Sequence, residues 1–293
     1  MCYQAGVVTP VYTARVTTRH DELDRFGRLH PGVYLRYLAH AAVEASTAVG
    51  FDAAWYAAAG TVWIVRRSTF EVWHPARADE RLAIRTWVED FRRVRSHRRY
   101  EVRASAERLC LEARTDWVYV DERTGRPRRV PPEMEAAFGA AHSRPQEREP
   151  WSSPPAPASP ALAHHRVRTH EVDTFGHVNN AAYLDIAVQG MFDVLEDAGW
   201  SLDRMIGASG VPLLVRADLE YLEEARYGDR LAIPTWFTPG PGALEAHQYV
   251  VRPDGGRPLL RASTRWRWAE PASGAQRELP GGVLAALRRL RAA

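Results

Sequence analysis

The sequence predicts an α+β protein made of two copies of one unit, each a long central helix wrapped by an antiparallel β-sheet. Two observations carry that prediction. The first is an internal repeat. Asp24-Arg-Phe-Gly27 and Asp173-Thr-Phe-Gly176 lie 149 positions apart. The same step pairs Tyr34-Leu35 with Tyr183-Leu184, Gly50 with Gly199, and Arg81-Leu-Ala-Ile-Arg-Thr-Trp87 with Arg230-Leu-Ala-Ile-Pro-Thr-Trp236. Trp117 then falls on Trp266, Gly125 on Gly274 and Pro131 on Pro280, without a gap. The second observation is a change of period inside each copy. One long helical pattern is followed by four segments rich in Val, Ile, Thr, Trp and Tyr.

The elements follow in order. A short strand, around Tyr12 to Arg19 and again Arg166 to Glu171, leads into the Asp-x-Phe-Gly loop. A long helix is predicted from Pro31 to Val49 and from Asn180 to Ala198. In the first copy Val33, Tyr37, Leu38, Ala41, Ala45 and Ala48 recur at helical spacing. Gly50 and Gly199 stand where a C-terminal helix glycine belongs. After a weaker helical stretch come the strands Val62–Trp73, Arg81–Glu89, Ser96–Glu107 and Cys110–Val120. A single sheet of this kind leaves an edge and a face uncovered, which a second copy in the chain would cover. Residues 142–163 carry Pro145, Pro150, Pro154, Pro155, Pro157 and Pro160 among Ser and Ala, the composition of an extended linker. The expected layout is therefore a unit over 1–141, a linker over 142–163 and a unit over 164–293. A short helix over Gly282 to Arg291 closes the chain, with its counterpart at Pro132–Ala141.

Composition removes several function classes. With 45% hydrophobic residues over 293, the chain can bury a real core. All 39 basic residues are Arg, so lysine Schiff-base chemistry and a Walker-type phosphate loop are excluded. Cys2 and Cys110 are the only cysteines and form no metal-ligand spacing, so neither a disulfide scaffold nor a metal site is expected. The first residues lack a basic segment followed by an apolar one, and Glu44, Asp52 and Arg66 interrupt the apolar regions. No signal peptide, no membrane span and a cytoplasmic location are expected. A net charge of +3 with no binding motif argues against nucleic acid.

The chemistry concentrates in Asp173-Thr-Phe-Gly-His-Val-Asn-Asn-Ala-Ala-Tyr-Leu184. It is a loop that ends in a helix N-terminus. Free N–H groups there can polarise a carbonyl, and a neighbouring carboxylate can attack it or activate a water. Each residue also has a plainer reading. Asp173 suits a turn, His177 can orient the loop, Asn179 and Asn180 suit helix capping, and Glu224 follows Glu223 at a strand edge. The first copy has Arg28 for His177, His30 for Asn179, Pro31 for Asn180 and Pro75 for Glu224. Asp24 remains there as a candidate second site. The cluster Arg92, Arg93, Arg95, Arg98 and Arg99 reads as a solvated strand-and-turn surface, or as a docking patch for an acidic carrier or a CoA phosphate.

The Asp-x-x-Gly-His-Val-Asn-Asn-x-x-Tyr-Leu motif ahead of a long helix resembles the hotdog-fold thioesterases. The duplication narrows the resemblance to the acyl-acyl-carrier-protein (acyl-ACP) thioesterase family. Trp63-Ile-Val-Arg-Arg67, Glu80-Arg-Leu-Ala-Ile-Arg-Thr-Trp87, Asp116-Trp-Val-Tyr-Val-Asp121 and Arg129-Val-Pro131 are similar to that family as well. The resemblance implies a tandem hotdog that hydrolyses acyl thioesters of acyl carrier protein or CoA, without a cofactor. It implies catalytic roles for Asp173, His177 and Glu224, with Asn179 beside them and amides at Asn180 and Ala181 polarising the carbonyl. Phe175 replaces the family's Asn and Ala225 its Cys, which moves the site toward the simpler Asp-plus-helix arrangement of 4-hydroxybenzoyl-CoA-type thioesterases. One working site in the second copy is expected, with the first unit shaping the acyl pocket. The chain would be a monomeric pseudo-dimer or a homodimer of double hotdogs. A hotdog dehydratase or hydratase acting on 3-hydroxyacyl thioesters, and a non-catalytic acyl-binding module, are the competing readings.

Overall fold

The computed structural model describes residues 10–139, 150–208, 210–240 and 242–292. The chain forms two units: one runs to Pro150, apart from Asp24–Phe26 and His30–Val33, which group with the other, from Trp151 on. Each is an antiparallel sheet with one long helix, the two hotdog-like units that the repeat implied.

The N-terminal unit contains β1 (Tyr12–Thr17), α1 (Pro31–Ala48), α2 (Ala53–Ala59), β2 (Thr61–Val72), β3 (Arg81–Arg92), β4 (Arg95–Arg103), β5 (Leu109–Asp121) and α3 (Pro132–Ala137). Its strands pair antiparallel in the order β1-β3-β4-β5-β2. Alternation sets the inner face: Leu82, Ile84, Thr86 and Val88 of β3 and Tyr100 and Val102 of β4 are buried. On α1 the buried positions Tyr34, Leu38, Ala41 and Ala45 share one helical face. Strand β4 stops short of the expected Glu107, because Ser105–Glu107 turns back with Ala106 and Glu107 at φ 56.

The C-terminal unit contains β6 (Ala161–Arg166), α4 (Asn180–Asp197), α5 (Leu202–Gly207), β7 (Val211–Tyr221), β8 (Arg230–Gly240), β9 (Ala243–Val250), β10 (Leu260–Ala269) and α6 (Gly281–Ala292). The strand order is β7-β10-β9-β8-β6. Helix α4 packs on β6, β8 and β9. Gly190 allows that approach, since a Cβ there would stand 3.1 Å from the Ile233 side chain.

One strand lies elsewhere than expected. The opening strand of this unit is Ala161–Arg166, not Arg166–Glu171, and Thr169–Glu171 is a short 3-10 turn. Its pairing with β8 holds it there, Ala161 opposite Thr235 and Arg166 opposite Arg230. Residues 161–163 of the expected linker are thus strand, while 142–149 lie outside the described residues. The residues just before β6 contact the sheet: the Arg261 guanidinium stacks on Trp151 at 5.4 Å, and the Ser153 hydroxyl lies 3.2 Å from His247 Nδ1. Helix α3 ends at Ala137, and the last two residues predicted for it lie outside the described residues. Among the described residues no helix is long and apolar enough to cross a membrane.

Candidate active site

The loop ahead of α4 is closed at its base by an isolated bridge between Val172 and Val178. Inside it the Asp173 N–H donates to the His177 carbonyl (3.0 Å), and the Gly176 N–H donates to the Asp173 carbonyl (3.0 Å). Asp173 Oδ1 accepts from the Phe175 N–H (3.0 Å), so the carboxylate is held by its own turn. Gly176 takes φ 82, a left-handed conformation that favours glycine.

This turn brings His177 back over Asp173. His177 Nδ1 stands 3.9 Å from Asp173 Oδ1, and Nε2 stands 3.8 Å from Glu224 Oε1. The imidazole therefore sits between two carboxylates, at distances a bound substrate can tighten. The Phe175 ring stacks on it, 5.9 Å between centroids and 12° between planes. The Asp173 and His177 side chains are 26% exposed and Glu224 is 58% exposed, so the first two are shielded but reachable.

The start of α4 is capped by Asn179, whose Oδ1 accepts from the Ala181 N–H (2.9 Å). Of the two amides expected to polarise a carbonyl, that of Ala181 is therefore engaged by the cap. Among the described residues nothing accepts from the Asn180 N–H. Asn180 is the first residue of an 18-residue helix and lies at its positive end. The Tyr221 hydroxyl donates to the Asn180 carbonyl (3.1 Å) and fixes that residue.

A phenol sets the segment that carries Glu224. The Tyr183 hydroxyl accepts from the Ala225 N–H (2.8 Å) and donates to the Glu223 carbonyl (3.3 Å). The Val178 N–H donates to the Ala225 carbonyl (2.8 Å), which ties that segment to the loop. Arg252 donates to the Glu224 carbonyl (2.7 Å). Burial pushes the Tyr183 phenol up to about 12, so it stays neutral and keeps donating.

The N-terminal copy keeps the scaffold and replaces most of the polar groups. Asp24 Oδ1 accepts from the Phe26 N–H (2.8 Å), and the Tyr34 hydroxyl accepts from the Ala76 N–H (2.8 Å). Burial raises the Tyr34 phenol as it does its counterpart. Arg28 and Pro75 stand where His177 and Glu224 would be, and Pro31 begins α1 without an N–H. The arginine cluster is also less uniform than expected. Arg93 and Arg95 are exposed, Arg92 lies 3.2 Å from Asp90, and Arg99 lies 2.6 Å from Glu89. Arg98 is not a solvated residue, because strand alternation places it with Tyr100 and Val102 on the buried face.

Residues 9–138 match the family model of the acyl-ACP thioesterase N-terminal domain, and residues 167–287 match that of the thioesterase-like superfamily. The first unit thus carries an acyl-ACP thioesterase N-terminal domain, and the second a domain of the thioesterase-like superfamily. Thioester hydrolysis is accordingly its activity. Solved structures share the fold. A protein described as an oleoyl thioesterase from Lactobacillus plantarum superposes with a TM-score of 0.72 at 21% identity, over 88% of this chain and 96% of that one. An acyl-ACP thioesterase from Bacteroides thetaiotaomicron gives 0.71 at 18% identity, over 88% and 98%. The 12:0-ACP thioesterase from Umbellularia californica gives 0.68 at 17%, over 88% and 94%. Within this site, sequence reasoning missed Tyr183, Tyr221 and Arg252. The pairing of Tyr34 with Tyr183 across the repeat was the available signal for the first. The other two make contacts that only the fold creates.

Proposed function

We propose that the chain releases a carboxylic acid from an acyl carrier protein at one site, in the C-terminal unit, while the N-terminal unit holds the acyl group. Asp173 acts on the thioester carbonyl carbon, as nucleophile or as the base that takes a proton from the attacking water. The Asn180 N–H and the positive end of α4 stabilise the oxygen as it gains charge. The C–S bond then breaks and the departing thiolate takes up a proton; where Asp173 was the nucleophile, water then hydrolyses the acyl-Asp173 anhydride to the free acid and the restored carboxylate. His177, between the two carboxylates, orients Asp173, and Glu224 holds His177 from the other side. Asn179 contributes by capping, which keeps the first turn of α4 in place. Acyl carrier protein is favoured over CoA because the N-terminal model is that of the acyl-ACP enzymes.

The observation that carries this reading is the asymmetry between the copies. Only the C-terminal one places a His within 4 Å of two carboxylates ahead of a helix whose first residue has an N–H. The test compares two variants by thiol release from an acyl-ACP. Asp173→Ala is expected to lower kcat by about a thousandfold, near the middle of the range for a lost acid–base group. Asp24→Ala is expected to leave kcat close to wild type. A dead Asp24→Ala enzyme with an active Asp173→Ala enzyme reverses the assignment. Single turnover in ¹⁸O-water tests the nucleophilic role of Asp173, because label in its carboxylate requires an acyl-Asp anhydride that water opens at the Asp carbonyl.

A further inference from the structure

We infer that the acyl group accepted by this enzyme ends in a carboxylate, bound by Arg98 among aromatic side chains of the N-terminal unit. The inference rests on the reading above that this unit holds the acyl group.

Arg98 lies in mid-strand and is 6% exposed. Its guanidinium donates one hydrogen bond, from Nη1 to the Thr86 hydroxyl (3.3 Å), and stands 5.2 Å from the centre of the Phe138 ring. Among the described residues, the titratable groups that act on its charge are two phenols, Tyr100 and Tyr56, and no carboxylate. Its neighbours on the same strand differ: Arg99 pairs with Glu89 and Arg103 with Glu101. Burying a cation without an anion costs several kcal/mol, so a fold retains one only for a reason.

The fold itself does not supply the reason. In the C-terminal unit Ala246 occupies the same rung, opposite Thr264 as Arg98 is opposite Thr115, and it is fully buried. That copy builds the same sheet without the cation. The aromatic surroundings are equally one-sided. The Trp63 indole donates to the Tyr56 hydroxyl (3.1 Å), Trp63 meets Phe91 at 6.2 Å, and Phe91 meets Phe138 at 6.0 Å. At the repeat step Tyr56, Trp63 and Phe91 become Met205, Pro212 and Gly240. Tyr56, Trp63 and Phe91 are also only partly buried, which leaves the cluster approachable.

A carboxylate matches this site on two counts. It neutralises the guanidinium, and it accepts the paired N–H groups of the Arg fork. Ring faces pack the chain leading to it. A hydrocarbon end would leave the cation buried and alone.

The full chain is assayed by thiol release on matched acyl-ACP pairs, hexanoyl against adipoyl up to dodecanoyl against dodecanedioyl. Wild type is expected to prefer the carboxylated member of its best pair. Arg98→Ala, the residue the other copy uses, is expected to lose about 30-fold or more in kcat/KM on that member, the smallest loss typical of a broken buried charge pair. Its rate on the plain member should change little. Arg98→Met serves as the second variant if the first does not fold, and wild-type preference decides if neither folds. A wild type that prefers the plain member, or folded variants that slow both members alike, overturns the inference. Should no thioester be cleaved, thioester hydrolysis by this chain fails, and binding of the free acids then decides. Quenching of tryptophan fluorescence by dodecanedioate, tighter than by dodecanoate and lost in Arg98→Ala, supports the carboxylate site. Equal binding of both acids, or of neither, overturns it.

Discussion

Asp24 and Asp173 make the same turn, each carboxylate oxygen accepting the amide two residues on. The turn alone therefore explains why an Asp stands in both copies, and the proposed mechanism accounts for the company kept by Asp173. Tyr183 deserves the same separation of roles. Removing its hydroxyl unpairs the buried Ala225 N–H, so Tyr183→Phe is expected to cost about 1–3 kcal/mol in urea unfolding. It is also expected to lower kcat, because the backbone of Glu224 loses its support beside His177. The pH dependence has a fixed sign. The phenol titrates at about 12 in the folded chain against 10.0 unfolded, so its contribution is complete below pH 10.0 and is lost as pH rises toward 12. Alkaline unfolding of Tyr183→Phe should be correspondingly shallower in that window. The structure brings together Asp173 and His177, which the loop motif named, and Glu224, which the family resemblance named. The state of each amide was not legible, since capping by Asn179 depends on a side-chain rotamer that no spacing reveals.

At the scale of elements, a row of polar side chains crosses the N-terminal sheet. His97 on β4 stands 2.6 Å from Asp90 on β3 and 3.5 Å from Asp116 on β5, and all three are buried. His97→Leu removes the side chain that two buried carboxylates share. A loss of about 3–5 kcal/mol is expected, read as a lower urea midpoint. The long helices were legible to within a residue at their C-terminal ends, because period and the terminal glycine agree. Strand β6 was misplaced because prolines just before it made Ala161–Ala163 read as linker. The repeat step from β1 contained the answer, since Tyr12 maps onto Ala161. The stacking of Trp151 on Arg261 was not legible, because it joins residues far apart in sequence.

For the molecule as a whole, the proposed function has duplication separate tasks that one copy would have to share. The turn between β3 and β4 carries Arg93 and Arg95 at the surface, and the net charge is +3, so an acidic carrier would be attracted there. Arg93→Glu with Arg95→Glu is expected to raise KM several-fold for an acyl-ACP, more at low salt, and to leave a short acyl thioester unaffected. Equal effects on both substrates would place carrier binding elsewhere. The proline that opens α1 also constrains how such a protein can change. Pro31 removes a hydrogen-bond donor by its covalent structure, and Arg28, His30 and Pro75 stand where the other loop has its polar groups. A first loop carrying the polar set of the second is therefore several codon changes away. On the proposed division of labour, drift at single positions can reshape what the first half holds long before it teaches that half to cut.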